Sequence, residues 1–169
     1  EPGTGYAGWT TVIEAKQRLF LYINPRWEED VRQLLYTNVL SMPAGEGIGV
    51  VALAAALVRR LPGLTHLTIF TDAQPVASAI NSGNSESPQL NFIVRWLLDA
   101  FPRLQLLALH QPGKRNDGAD GLSRHDTRRV LLEAEEAGLR TLQLPLPPGL
   151  PELIARASQL PQRALPPAP

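Results

Sequence analysis

Three carboxylates stand where they could do chemistry. Glu46 lies at the mouth of the apolar segment 47–58 (GIGVVALAAALV), and Asp72 ends the apolar run THLTIFTDA. Asp120 falls in the segment that follows a second apolar run, RLQLLALH. Acids at the ends of buried elements differ from acids scattered over a solvated face, because strand ends and helix mouths of a sheet domain converge on one region. Ligand sites favour the carboxyl ends of such strands. Clustered carboxylates cannot all stay ionised without a cation, and hard oxygen ligands with no Cys and few His select Mg²⁺ or Mn²⁺ over Zn²⁺. Two such ions roughly 4 Å apart can activate water and stabilise the leaving oxygen of a phosphodiester. Each acid also has an ordinary structural explanation. A Glu at a helix start suits the macrodipole, an Asp after a strand turns the chain, and Asp120 could cap a short helix. Spacing alone does not choose between the two.

The elements that must position these acids follow from the periodicity. GYAGWTTVIEA and QRLFLYI are rich in aromatic and β-branched residues and are separated by Lys16 and Gln17, which predicts an opening hairpin. INPRWEEDV carries a turn signal at Asn24-Pro25 and solvated charges, and QLLYTNVLSM is expected as a third neighbouring antiparallel strand. Ile48, Val51, Ala55 and Val58 recur at helical spacing, and this first helix ends at Leu61-Pro62-Gly63 with Arg59 and Arg60 in its last turn. Leu67 to Phe70 reads as a buried strand. A helix over Gln74 to Asn81 follows, with Pro75 in its first turn and Gly83 as its stop. Ser87-Pro88 opens another through FIVRWLLDAF, halted by Pro102. RLQLLALH reads as a second buried strand, and Thr127 to Ala137 as a last, charged helix. The order βββ-α-β-α-α-β-α predicts an α/β or α+β three-layer domain with a mixed sheet.

Composition sets the outer bounds. The chain has 169 residues, about one domain, with 16 Lys+Arg against 16 Asp+Glu, so bulk charge does not gather its partners. At 44% hydrophobic and 19% charged it can bury a core and is too apolar to be disordered. Without Cys there is no disulfide, thiolate metal site or Cys nucleophile, which is compatible with an intracellular setting, cytoplasmic or nuclear. The apolar run 47–58 falls short of the roughly 20 residues that cross a bilayer and reads as a buried helix, so no membrane partner is expected. Of the 16 Pro, eight lie in 145–169, which predicts a domain over 1–144 followed by a proline-rich tail or linker. Between Arg103 and Arg129 six basic residues (103, 114, 115, 124, 128, 129) face three Asp (117, 120, 126), so the surround of the acids is basic although the chain is neutral. Trp9, Trp27 and Trp96 are expected in packing, with base stacking the lesser reading for Trp27.

The stretches around the acids carry a resemblance. Residues 71–88 (TDAQPVASAINSGNSESP) and 109–124 (LHQPGKRNDGADGLSR) resemble the ribonuclease H domain of retroelement reverse transcriptases, of the long-terminal-repeat and tyrosine-recombinase kinds. That family shows Thr-Asp-Asn/Ser-Gln and then His-x-Pro-Gly-Lys-x-Asn-x-x-Ala-Asp-Ala-Leu-Ser-Arg. His110, Pro112, Gly113, Lys114, Asn116, Ala119, Asp120, Leu122, Ser123 and Arg124 fall in register, with Gly121 in place of Ala. EGIGVVALA at 46–54 is similar to the family's Glu-Leu-Leu-Ala-Val-Val-Leu-Ala-Leu helix. The resemblance covers roughly residues 3–126, most closely over its last third.

The resemblance implies a ribonuclease H-like three-layer fold, with a mixed five-stranded sheet flanked by helices. It implies metal-dependent endonucleolytic hydrolysis of the RNA strand of RNA–DNA hybrids, with Glu46, Asp72 and Asp120 as catalytic ligands of two Mg²⁺ (or Mn²⁺) ions. Gln74, Lys114, Arg115 and Asn116 are the expected nucleic-acid contacts, and a polymerase domain in a parent polyprotein is the expected companion. His110 is expected as a structural residue ending its strand.

Two departures stand out. The family's first aspartate precedes a Gly-Tyr/Trp-Gly stretch, and near GTGYAGW only Glu1 is available, so either Glu1 is the fourth ligand, or the aspartate lies one residue ahead of it, or it is lost. Gly47 and Gly49 replace Leu and Ala at the helix mouth, at roughly 1 kcal/mol of helix propensity each. These departures motivate the alternative of a degenerate or domesticated, non-catalytic ribonuclease H-like module that is structural or holds nucleic acid. An integrase or transposase core would share the fold but lacks the PGKxNxxADGLSR stretch.

Overall fold

The computed structural model describes residues 5–112, 122 and 126–163. Its elements run β1 (Gly8–Glu14), β2 (Gln17–Ile23), α1 (Glu29–Tyr36), α2 (Met42–Arg60), β3 (His66–Thr71), α3 (Gln74–Ser82), α4 (Pro88–Ala100), β4 (Gln105–His110), α5 (Thr127–Glu136), β5 (Arg140–Gln143) and α6 (Leu150–Ser158). The result is a mixed α/β fold whose described strands form two sheets, β1-β2-β5 and β3-β4. β1 and β2 are antiparallel, β5 is parallel to β2, and β3 is parallel to β4. The expected single five-stranded sheet is therefore divided.

The β1–β2 hairpin closes through Ala15 and Lys16, both at positive φ (49° and 65°), as a two-residue turn whose twist matches the strands. The expected third strand is instead α1. Val31, Leu34 and Leu35 share a helical face directed at the core, and Glu29 and Asp30 occupy the first turn, where the helix dipole favours acids. The apolar triplet Leu34-Leu35-Tyr36 is short enough to suit either period, and the core contact decides for the helix. The fifth strand is β5, which follows the left-handed Gly138 (φ 81°) and pairs with β2 from Leu19 to Tyr22.

Helix α2 is the centre of the core. Ser41 caps it, its hydroxyl accepting from the Ala44 N–H at 3.2 Å, and Pro43 sits in the first turn. Ser41→Ala is expected to cost about 1 kcal/mol in urea unfolding. Eleven of the helix's 19 residues are buried, among them Ile48, Val51, Ala52 and Leu57. Its length and apolarity would also suit a bilayer span, but here most of it is buried inside the protein. The two glycines at its mouth serve close packing: a Cβ on Gly47 would stand 2.7 Å from Leu90 Cδ1, and one on Gly49 3.2 Å from Tyr6 Cβ. Their low helix propensity is thus exchanged for the approach of α4 and of the chain entering β1.

The direction of β1 follows from its neighbours on α2. Gly8 packs on Leu53, while at the far end Glu14 and Arg60 form a two-pronged ion pair with both N···O distances at 2.7 Å. The guanidinium holds the Glu14 carboxyl below the usual carboxylate range. β1 therefore runs alongside α2, and β3, which returns from the end of α2 toward Glu46, runs opposite to both. On the outer face of β2, Phe20 and Tyr22 pack with Leu122 and with Val130 and Ala134 of α5.

The proline-rich stretch expected as a tail is part of the domain through its helix. Leu150, Leu153, Ile154 and Ala157 of α6 join the main core, and Arg156 lies 5.3 Å from the Phe92 ring centroid of α4. Pro151 falls in the first turn, where its missing N–H costs nothing, so a high proline count did not preclude a helix.

Candidate functional site

Glu46 and Asp72 open onto one groove of about 680 Å³. Its floor is α2, through Glu46, Val50, Leu53 and Leu57, and its walls are β1 and β3. Glu46 is held in the first turns of α2. Asp72 is fixed by the turn that leaves β3, where the buried Thr71 hydroxyl accepts from the Ala73 N–H at 3.1 Å and starts the chain toward α3. Beyond the strands, the Gln111 N–H donates to the Thr71 carbonyl at 2.8 Å, so β4 continues past His110 and brings Gln111 to the groove beside Asp72.

The electrostatics tie the two acids together. Glu46 is reached by solvent, yet protein around its carboxyl displaces enough water to raise its pKa, and the charge of Asp72 raises it further. A carboxyl whose folded pKa exceeds its unfolded value contributes stability at low pH, and that contribution is lost as the pH rises through the folded pKa. Glu46→Gln, permanently neutral, is accordingly expected to be more stable than the parent at neutral pH without divalent cations. The advantage should fade below about pH 4. Thermal unfolding at the two pH values, with chelator present, checks this.

The pair also suits a hard cation. A carboxyl whose ionisation is opposed by burial and by a neighbouring carboxylate is one that Mg²⁺ or Mn²⁺ relieves, and oxygen is the ligand those ions prefer. Among the described residues no group of three or more His, Asp or Glu converges. Asp120 and Glu1, expected as further ligands, and Lys114, Arg115 and Asn116, expected at nucleic acid, lie outside the described residues.

Gln74 is the first residue of α3, two places beyond Asp72, with its side chain exposed and its amide donating to the Ser78 hydroxyl at 3.3 Å. His110 ends β4 at the surface. Of the basic residues between 103 and 129, Arg129 is engaged within its own helix by Asp126 and Glu133. Trp27 is buried with its ring 4.5 Å from that of Tyr6, so it packs the core and does not stack on bases. Trp9 is the exposed one, at 41%, lying against Phe20 at the rim of the groove. Gln111 had no signal beyond its place between His110 and Pro112.

Compared with family models, curated proteins and solved structures, the chain has no match.

Proposed function

We propose that this chain is a ribonuclease H-like domain of the retroelement reverse-transcriptase kind, hydrolysing the RNA strand of RNA–DNA hybrids. The observation that carries this reading is the pairing of Glu46 and Asp72: the two acids that the sequence motifs single out, 26 positions apart in the chain, face one groove, and the charge of Asp72 reaches the Glu46 carboxyl. Further support comes from the order of elements after α1, in which an apolar helix bearing Glu46, a strand that runs out into Asp72, two helices and a strand ending in His110 follow the family's order.

In this reading Glu46 and Asp72 hold Mg²⁺ or Mn²⁺, with Asp120 and Glu1 as further ligands. The bound ions supply an activated water and charge compensation at the leaving oxygen. The chain's own contribution is placement. The rigid mouth of α2 and the Thr71–Ala73 turn fix the two carboxylates, and Gln74 stands beside Asp72 where a backbone or ribose could be touched. Lys114 and Arg115 are assigned to phosphate, which supplies affinity without sequence information, and Asn116 to the nucleic acid alongside Gln74. Selection of RNA falls to 2′-hydroxyls displayed in the minor groove. A polymerase domain in a longer polyprotein is the proposed companion.

The test is a panel of labelled duplexes incubated with the chain and Mg²⁺ or Mn²⁺. Cuts confined to the RNA strand of the hybrid are expected. Equal cutting of an all-DNA duplex, or no cutting with either ion, would refute the proposal. In the second outcome the chain would stand as a non-catalytic module.

A further inference from the structure

Two side-chain amides tie together segments that the backbone ladders leave apart. Asn81 of α3 works over a short reach: it donates to the Ala108 carbonyl and accepts from the Ala108 N–H, both at 2.8 Å, closing that edge of β4 as a strand would. Gln89 works over a longer one. It is fully buried in the first turn of α4, where its Oε1 accepts from the Ser41 N–H at 3.0 Å and its Nε2 donates to the carbonyls of Val39 at 2.7 Å and Leu160 at 2.9 Å. Both of its amide hydrogens are used. A second bond follows the same path, since the Gln162 amide donates to the Asn38 carbonyl. The turn after α6 is thus fastened to residues 38–39, and both are fastened to the residue that caps α2.

That cap leads directly to Glu46. Ser41 holds the first turn of α2 by two bonds, its hydroxyl accepting from the Ala44 N–H and its carbonyl from the Gly45 N–H at 3.0 Å, and Glu46 is the next residue. The five residues from Ser41 to Glu46 span about 7.5 Å of helix axis, too short a rod for a displacement at one end to be lost before the other. The helix is also gripped on either side of Glu46. A Cβ on Gly45 would stand 2.9 Å from Leu35 Cδ2 of α1, and the one on Gly47 meets Leu90, the neighbour of Gln89. The first turn of α4 therefore holds α2 at two points, ahead of Glu46 through Gln89 and after it through Leu90.

We propose that Gln89 is a positioning residue for Glu46: through Ser41 it fixes where the mouth of α2 stands in the groove, and through Leu160 it makes that placement depend on the seating of α6. A buried amide that loses one partner leaves a donor or acceptor bare in a medium that cannot solvate it, so the three segments keep one arrangement together. The placement matters because a ligand of Mg²⁺ or Mn²⁺ must be held within about 0.5 Å of its productive position. The consequence for cation binding rests on the hydrolytic reading proposed above. The mechanical link from α6 to the mouth of α2 does not.

The experiment measures amide hydrogen exchange and calorimetric Mn²⁺ binding on the full chain and on three variants. Gln89→Leu removes the junction. Ala157→Gly loosens the last turn of α6 more gently and leaves Gln89 in place, so it decides the matter if Gln89→Leu does not fold. Ala134→Gly makes the same change in α5, whose buried face meets Phe20 and Tyr22 and has no part in the junction. The Ala44, Gly45 and Glu46 amides should exchange at least about tenfold faster in Gln89→Leu and about threefold faster in Ala157→Gly, and at the parent rate in Ala134→Gly. The Mn²⁺ Kd should rise about tenfold in Gln89→Leu and change in the same order across the set. Faster exchange confined to α4 and α6, or equal effects in Ala134→Gly, would make Gln89 a structural amide only and overturn the proposal. An unchanged Kd with the mouth of α2 loosened would overturn it too. A parent chain that binds no Mn²⁺ would remove the hydrolytic reading instead, and the exchange rates alone would then decide whether Gln89 holds Glu46 in place.

Discussion

Asp72→Asn is expected to lower Mg²⁺-dependent cleavage of the RNA strand by at least about a hundredfold while leaving Tm unchanged or slightly raised. Loss of a partner one shell further from a metal already costs about 10–100-fold, so loss of a direct ligand should cost no less. The fold should tolerate the change because Asp72 is exposed and the turn that holds it is secured by its neighbours: the Thr71 hydroxyl bonds the Ala73 N–H, and the Thr71 carbonyl bonds Gln111. Removing the Asp72 charge also relieves Glu46, which works in favour of the variant without cations. Single-turnover cleavage rates and thermal unfolding on the same preparations separate a lost ligand from a lost fold. A variant that cuts at the parent rate would remove Asp72 from the chemistry.

Gln89→Leu is expected to be the most damaging single change outside the groove, lowering stability by about 4 kcal/mol and Tm by about 10 °C. Gln89 is fully buried near the start of α4, and its amide joins three segments distant in sequence. Its Oε1 accepts from the Ser41 N–H at 3.0 Å, while its Nε2 donates to the carbonyls of Val39 at 2.7 Å and Leu160 at 2.9 Å. Leucine fills much of the same space but leaves one donor and two acceptors without partners, each worth about 1–3 kcal/mol when buried. Because one of those acceptors follows α6, the loss should also loosen the C-terminal helix. Urea unfolding gives the magnitude, and faster proteolysis between residues 145 and 160 in native buffer identifies where the variant opens.

Much of the framework could be read from the sequence where periodicity and punctuation agree. The helix over Gln74–Ser82 was legible from Pro75 and Gly83, and Gly83 does stop it in the left-handed region at φ 75°. The helix opened by Ser87-Pro88 has its expected cap, the Ser87 hydroxyl accepting from Leu90 N–H at 3.3 Å. Both strands of the second sheet were legible as short apolar runs, but neither is the buried strand expected, since their burial alternates and Phe70, Leu107 and Leu109 are exposed. Where two signals conflicted, local reading failed. Leu34-Leu35-Tyr36 suited strand or helix equally, and only contact with the core selects α1. β5 is four residues long with a single apolar position facing inward at Leu142, too little for a period to show. The proline count concealed α6, because a proline in a first turn and a proline in a linker look alike until the apolar face of Leu150, Leu153 and Ile154 is set against α4.

The site was legible in part. Glu46 and Asp72 could be named from their positions at element ends, and the groove they share follows from β3 running back along α2. Neither the division of the sheet nor the groove between β1 and β3 has a signature in the residues themselves. Those depend on which edges meet, and pairing across long sequence separations leaves no local mark. Gln89 and Asn81 were likewise invisible, since a buried amide reads as surface polarity until its partners are placed.

Whether Glu46 and Asp72 share a divalent cation is answered most directly by titrating Mn²⁺ into the chain calorimetrically, alongside Asp72→Asn and Glu46→Gln. Saturable heat in the parent, lost or greatly weakened in both variants, is the expected result. No heat into the millimolar range, or the same isotherm in all three proteins, would contradict a metal site at these two acids and with it the proposed hydrolysis.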